Sequence, residues 1–238
     1  GMSVQMAEHV LHQILEVSRQ MELYRDQQRQ RLWKIHRPIS RKEWPIGIMG
    51  LGHIGKRVAS TLASLDYTVN GWARSEHTVE GVRTFAGNGQ LGEFLGATRV
   101  LVNTLPLTSE TENILNYDLF SQLQPGAVLI NTSHPSVVDE KAVVKALSAG
   151  TLAGYATDCP GEVISGVDES LASPGKLFIT TNPLTNQVGA AQQIAKFVAA
   201  NIQAFRDGSG VEGMIDLVDF PTVGDPSFWS SRMSPRQD

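Results

Sequence analysis

Cysteine is nearly absent. Cys159 stands alone in 238 residues, so an intrachain disulfide is excluded, and the usage fits a reducing compartment. No apolar run approaches the ~20 residues that cross a bilayer. The amino-terminal stretch is a charged amphipathic pattern, unlike the apolar core of a signal peptide. A cytoplasmic protein is expected, with no membrane partner. Charge of one sign is missing too: 20 basic residues face 24 acidic ones, for a net charge of −4. No basic block suggests nucleic acid, and no charge run suggests a disordered tail. No internal repeat is found, and no metal site is expected.

What is present is concentrated in IGIMGLGHIGKRVA, from Ile46 to Ala59. A short apolar run leads into Gly50-Leu51-Gly52-His53-Ile54-Gly55 and then a helical pattern. This is G-x-G-x-x-G between a strand and a helix, the context the motif needs. The first glycine allows the tight turn, the second lets a pyrophosphate approach the backbone, and the third lets helix and strand pack closely. The free N–H groups and the dipole at the helix start favour phosphate. His53 and Ile54 lie inside this loop, with His53 expected to face solvent or the pyrophosphate.

Along the chain, apolar residues recur at helical spacing between Val4 and Trp33, as Val10, Ile14, Val17, Met21 and Tyr24. A single long helix is expected, either a surface helix or an arm whose apolar half packs on a partner chain. From Ile46 onward strands and helices alternate. Strands are expected at Tyr67–Trp72, Val82–Phe85, Arg99–Leu105, Ala127–Asn131, Thr151–Thr157 and Leu177–Thr181, with helices at Ile54–Leu65, Leu91–Leu95, Tyr117–Leu123 and Glu140–Ala149. Such alternation implies an α/β fold with a doubly wound parallel sheet. The organisation reads as a helical arm over residues 2–38, a dinucleotide-binding domain over 39–186, a helix over 187–208 and a Pro/Ser/Gly-rich tail over 209–238.

The second strand should carry a carboxylate at its end if the ligand is NAD, because that group grips the ribose 2′-hydroxyl. Here the stretch reads Asn70-Gly71-Trp72-Ala73-Arg74-Ser75. Arg74 offers a guanidinium and Ser75 a hydroxyl, both suited to a 2′-phosphate. NADP(H) is therefore favoured over NAD(H).

The stretch NTLPLTSETENILNYDLFSQLQPGAVLINTS, Asn103 to Ser133, resembles the D-isomer-specific 2-hydroxyacid dehydrogenases, and most closely their glyoxylate/hydroxypyruvate reductase A group. MAEHVLHQILEVSR, GLGHIG, GWARS and VDEKAVVKALSAGTLAGY match as well. The resemblance implies an NAD(P)-binding Rossmann domain, a homodimer built with the first helix, and hydride transfer to small 2-oxo acids. By carry-over, Trp72, Leu105, Pro106 and Thr111 border the cofactor site, with Leu105 and Pro106 on the adenine side. Thr132, Ser133 and Asp158 would line the nicotinamide.

The departures from the family pattern are equally specific. Family members place a substrate-binding domain ahead of the point where this chain begins. The catalytic arginine belongs in I-N-x-A-R-G, but Ile130-Asn131-Thr132-Ser133-His134-Pro135 puts His134 there. The glutamate of D-V-F-x-x-E-P is replaced by Val163, with Glu162 one place early. The histidine of T-P-H becomes Asn182, after Thr181. An arginine clamps a substrate carboxylate in a bidentate fork, which an imidazole cannot reproduce. Asn182 has no titratable proton, so general acid catalysis, commonly ~10²–10⁴-fold, is missing from its usual place. His134 and Asn182 stand as the candidate catalytic positions. Three readings follow: an NADP-dependent oxidoreductase with weak or changed activity, a non-catalytic nucleotide-sensing or scaffold dimer, and a fragment of a longer gene. A dimer or larger is expected, because the first helix and the last (Ile194, Phe197, Val198, Ile202, Phe205) would otherwise expose apolar surface. Phe220, Phe228 and Trp229 of the tail would help to cover it.

Overall fold

The first strand, Ile46–Met49 (β1), is buried along its whole length, as an apolar strand must be when helices cover both faces of its sheet. The computed structural model of the chain describes residues 2–37, 39–167 and 176–180, together with residues 199, 203, 206 and 207. Six further strands join β1: Val69–Ala73 (β2), Val82–Ala86 (β3), Val100–Asn103 (β4), Ala127–Asn131 (β5), Leu152–Thr157 (β6) and Leu177–Ile179 (β7). The sheet order is β3-β2-β1-β4-β5-β6-β7, and every pairing is parallel. The chain runs outward from β1 to β3, then returns to pair β4 on the other side of β1. That reversal opens a crevice at the carboxyl ends of β1 and β4, where doubly wound sheets bind ligands.

The helices are Met2–Ser18 (α1), Met21–Arg29 (α2), His53–Ala63 (α3), Leu91–Gly96 (α4), Tyr117–Phe120 (α5), Glu140–Ala149 (α6) and Glu162–Ser165 (α7). Two apolar clusters lie on the two faces of the sheet. One joins Met49, Trp72, Leu101 and Leu129 with Phe94, Phe120 and Leu147. The other joins Ile46, Ile48, Val102, Ile130 and Ala156 with Val58 and Leu62 of α3 and with Met6, Val10 and Ile14 of α1.

The expected single helix from Val4 to Trp33 is corrected. It breaks at Gln20, whose φ is +55°, and the chain leaves helical geometry after Arg29. Arg25 of α2 reaches back to grip the buried Glu16 carboxylate with both guanidinium nitrogens, at 2.7 and 2.6 Å. That ion pair fixes the angle between the two helices. The apolar face of α1 is buried on its own domain, so Val10 and Ile14 leave no exposed stripe for a partner. Beyond α2 the chain folds back over it. The His36 N–H donates to the Tyr24 hydroxyl at 3.0 Å, and the His36 ring meets the Tyr24 ring edge-on.

Strand and helix positions agree with expectation, with shifted ends. The strand expected over Arg99–Leu105 spans Val100–Asn103, and Thr104 beyond it still donates its N–H to the Met49 carbonyl at 2.9 Å. The helix expected over Tyr117–Leu123 is a single turn. Residues 199, 203 and 206 are helical. Asp207 is described as a turn, and the remaining residues assigned to the last helix, the whole tail, and Asn182 lie outside the described residues. Among the described residues no helix is long and apolar enough to cross a membrane.

Candidate functional site

The parallel register lines up one row at the carboxyl edge of the sheet. Met49 lies beside Trp72 and Asn103, Asn103 beside Asn131, and Asn131 beside Thr157. The residues that follow this row are the ones singled out from the sequence: Gly50 after β1, Arg74 and Ser75 after β2, Leu105 and Pro106 after β4, Thr132 to His134 after β5, and Asp158 after β6. Parallel pairing thus brings together segments more than a hundred residues apart.

Gly50 has φ +106°, a conformation that side chains with a Cβ rarely adopt. Its N–H donates to the Trp72 carbonyl at 2.8 Å, and its carbonyl accepts from Thr104 Oγ1 at 2.8 Å. A Cβ on Gly55 would lie 1.8 Å from the Gly50 carbonyl oxygen, so α3 approaches β1 as only glycine permits. A Cβ on Gly52 would meet nothing within 4 Å. The loop is therefore closed on its inner side and open on its outer side, above the first N–H groups of α3. His53, the first residue of that helix, is exposed, while Ile54 packs on the second apolar cluster. This cradle fits a pyrophosphate.

Trp72 does not face the crevice. Its indole is buried in the first cluster and donates to the Gly87 carbonyl at 3.0 Å. Arg74 and Ser75 are exposed at the end of β2. Arg74 pairs with Glu110 at 2.8 Å, a carboxylate on the loop after β4 that no sequence signal singles out. Leu105 is buried and Pro106 is exposed. Thr111 closes this loop, donating to the Pro106 carbonyl at 2.6 Å.

The floor of the crevice is a buried amide pair. Asn103 donates to Asn131 at 2.9 Å, and each side-chain carbonyl also accepts a backbone N–H, from Leu105 and Ser133 respectively. Thr132 Oγ1 donates to the Asn103 carbonyl at 2.9 Å, and Ser133 Oγ donates to the Leu105 carbonyl. Both hydroxyls tie the loops after β4 and β5 together. His134 caps the short turn Pro135–Val137, its Nδ1 accepting from the Ser136 N–H at 3.2 Å. That bond places the ring proton of the neutral form on Nε2.

Asp158 is 4% exposed, yet among the described residues neither carboxylate oxygen has a hydrogen-bond partner. Burial pushes its pKa above the ordinary value, opposed by the nearby charge of His9. An orphaned acceptor pair at this edge fits a donor on a bound ligand, such as a carboxamide N–H. Cys159 is half-buried, and burial together with the Asp158 charge raises its thiol pKa. Val163 lies exposed on α7. The start of α7 is held by Glu140, whose carboxylate accepts from the Gly161, Val163 and Ile164 N–H groups at 2.6, 3.0 and 3.2 Å.

The family description "D-isomer specific 2-hydroxyacid dehydrogenase, NAD binding domain" matches residues 11–181. The chain belongs to the D-isomer-specific 2-hydroxyacid dehydrogenase family. Glyoxylate/hydroxypyruvate reductase A of Yersinia enterocolitica is 36% identical over 222 residues, which cover 92% of this chain and 69% of that protein. A D-isomer-specific 2-hydroxyacid dehydrogenase of Xanthobacter autotrophicus, solved with NADPH and MES, aligns with TM-score 0.80 and 30% identity over 90% of this chain and 88% of that one. An NADPH-dependent glyoxylate/hydroxypyruvate reductase of Sinorhizobium meliloti, solved with NADP and sulfate, gives TM-score 0.81 and 28% identity over 92% of this chain and 70% of that one. This dehydrogenase-family chain has the Rossmann sheet and the glycine cradle of a nicotinamide dinucleotide site.

Proposed function

We propose that this chain is an NADP(H)-preferring oxidoreductase core acting on a small 2-oxo acid, with chemistry weakened or redirected by His134, Val163 and Asn182. The observation that carries the cofactor preference is the end of β2. Asn70 to Ser75 holds no carboxylate, and the Arg74 guanidinium is exposed there, bonded to Glu110. An exposed ion pair contributes little, ~0–1 kcal/mol, so a 2′-phosphate competes readily for the guanidinium. The NADP and NADPH complexes of the Sinorhizobium and Xanthobacter relatives support the same assignment.

When bound, the nicotinamide supplies a hydride to the carbonyl carbon of the acid. Everything else falls to the chain. Gly50, Gly52, Gly55 and the start of α3, with His53 and Ile54, hold the pyrophosphate. Arg74 and Ser75 hold the 2′-phosphate, and Leu105, Pro106 and Thr111 shape the adenine side. Thr132, Ser133 and Asp158 border the nicotinamide, with Asp158 accepting from its carboxamide. His134 is a single imidazole where a two-armed guanidinium is expected, and its Nδ1 already accepts from the Ser136 N–H, so bidentate clamping of a carboxylate is lost.

A second reading, a non-catalytic nucleotide-sensing or scaffold dimer, is favoured by Val163, which cannot support a charged general acid. Fluorescence titration with NADPH and NADH, followed by assays with glyoxylate, hydroxypyruvate and pyruvate, tests both. Tighter NADPH binding that is lost in Arg74→Asp supports the assignment, and equal affinity for the two cofactors in the unmutated chain overturns it. Negligible turnover is expected. Turnover within tenfold of an ordinary enzyme, ~10 s⁻¹, refutes the impaired-site reading.

The chain is also proposed to form a homodimer, through the segment after α2 rather than through α1. Trp33 is 95% exposed and Ile35 81%, with Leu32 beside them. His36 anchors this segment to α2, so the apolar side chains are presented on a fixed base. Sedimentation at micromolar concentration reads the outcome, and a clean monomer refutes it.

A further inference from the structure

Among the described residues the Asp158 carboxylate has no hydrogen-bond partner, so no bond of its own holds its direction. The backbone of the loop after β6 must do so, and that loop is fastened on both sides of Asp158. Before it, buried Thr157 lies beside Asn131 in the sheet and accepts the Cys159 N–H on Oγ1 at 3.1 Å. After it, the Glu140 carboxylate takes the Gly161, Val163 and Ile164 N–H groups, donors that a helix start leaves without partners of its own. A Cβ at residue 161 would stand 2.7 Å from Glu140 Oε2, so the backbone meets the carboxylate closely because glycine is there.

Glu140 reaches this loop from a different one. The segment after β5 runs from Thr132 through His134 and the turn Pro135–Val137 to Val138, which bridges to Leu115. Asp139 then donates its N–H to the Leu115 carbonyl at 3.0 Å and caps α6 by accepting the Ala142 N–H at 3.1 Å. Glu140, buried, stands on that fixed base. Thr132 and Ser133 tie the same segment to the end of β4. Three loops at the carboxyl edge of the sheet are thus linked in a row, and Glu140 makes the link to the one that carries Asp158.

We propose that Glu140 is a positioning residue for the nicotinamide end of the cofactor: from the segment that carries His134 it grips the loop that carries Asp158 and keeps that carboxylate in place beside Thr132 and Ser133. The inference rests on the cofactor reading above. Glu140 acts through backbone N–H groups and not on the ligand. Hydrogen bonds weaken steeply as they bend, so a loop released from Glu140 loses the bond between Asp158 and the carboxamide. The glycine cradle and Arg74 follow β1 and β2, and the adenosine end of the cofactor is held there as before.

The test uses the full chain and two ligands, NADP and 2′,5′-ADP, which keeps the adenosine end and lacks the nicotinamide. Glu140→Gln keeps the size and one acceptor oxygen but turns an amide NH2 toward N–H donors. It should weaken NADP about tenfold, the effect of one hydrogen bond to a charged group, and leave 2′,5′-ADP within about twofold. Gly161→Ala keeps the carboxylate and pushes the backbone off it, and should give the same split. Equal weakening of both ligands marks a merely structural cap and overturns the proposal, as does unchanged NADP affinity. If neither variant folds, amide hydrogen exchange of the unmutated chain decides. Coupling between two sites is reciprocal, so NADP should slow exchange at Gly161, Val163 and Ile164 severalfold and 2′,5′-ADP should not. Equal slowing by both ligands, or none with NADP, overturns the proposal. Those failures leave the cofactor reading standing, whereas an unmutated chain that binds neither ligand overturns that reading and this inference with it.

Discussion

Gly52 and Gly55 lie three residues apart in one loop, and alanine at each should damage a different property. At Gly55 a Cβ would be placed 1.8 Å from the Gly50 carbonyl oxygen and 2.8 Å from Thr104 Oγ1. The oxygen is backbone, already bonded to Thr104, and cannot swing aside. Helix α3 must move away from β1 by more than about 1 Å, loosening Val58 and Leu62, which are fully buried beneath it. Overpacking of this kind costs about 1–3 kcal/mol, and the better helix propensity of alanine returns at most about 1 kcal/mol. A clash with rigid backbone falls at the upper end of that range, so the net loss is about 2 kcal/mol, a fall in Tm of roughly 4–8 °C for a chain of this size. At Gly52 nothing lies within 4 Å of the added methyl, and φ is −72°. Stability should stay within about 0.5 kcal/mol. The methyl would nevertheless stand where the pyrophosphate meets the backbone, and each lost bond to a charged oxygen is worth roughly 1.5–3 kcal/mol, so NADPH affinity should fall about tenfold or more. Thermal melts and fluorescence titration of both variants give the readout. A Gly52→Ala chain that binds NADPH normally would sink the cradle assignment, and a Gly55→Ala chain with an unchanged melt would sink the packing argument.

Glu110→Gln should tighten NADPH about two- to fivefold and leave NADH alone, because it removes a weak competitor for Arg74; an unchanged ratio of the two affinities counts against a 2′-phosphate at Arg74. Glu140→Ala orphans three N–H groups and should cost roughly 2–4 kcal/mol in urea unfolding, and a loss under about 0.5 kcal/mol shows that the bonds to Gly161, Val163 and Ile164 are dispensable. Acid should destabilise the chain in two stages. Burial lowers the His9 pKa below 6.5, so the unfolded chain takes up that proton first and Tm falls from about pH 7.5 to about pH 5.5; His9→Phe should flatten this stage. Arg25 holds Glu16 below 4.5, so the stability it contributes is present above 4.5 and is lost as pH falls through the lowered value. Asp158, raised above 3.8, works in the opposite sense, since the folded chain protonates it first. A Tm that is flat or rises between pH 7.5 and 5.5 contradicts the His9 assignment.

The sheet and its phosphate loop were legible because their signals are local. A run such as Val100–Asn103 reads as a strand buried on both faces, and the positive φ at Gly50 and the close helix approach at Gly55 are steric needs that the structure reproduces. Arg74 was legible as a charge, and Ser75 as a hydroxyl, at a known distance from those glycines. The break at Gln20 was not, because the apolar period continues through it without glycine or proline, and the turn is fixed by Arg25 gripping Glu16 from the next helix. Glu110 and Glu140 were missed for a related reason. Their partners lie 36 residues before and 21 or more residues after them in the chain, and an isolated glutamate in a polar stretch looks like any solvated residue. Trp72 was placed at the site by its neighbours in sequence, but strand alternation turns its indole into the core.

The docking of α1 carries a consequence for the order in which the chain is assembled. Met6, Val10 and Ile14 share their cluster with Val128, Ile130 and Ala156, residues synthesised more than a hundred positions later. On a ribosome the amphipathic helix meets α3, its main packing partner, early, but the part of its cluster on β5 and β6 is added only much later. Closing a loop of that length is entropically slow compared with the local pairing of β1 and β2. During that interval the uncovered part of its apolar stripe is open to chaperones and to other nascent chains. A limited-proteolysis time course on refolding chain should therefore show cleavage near Gln20 disappearing last, after the sheet has become resistant.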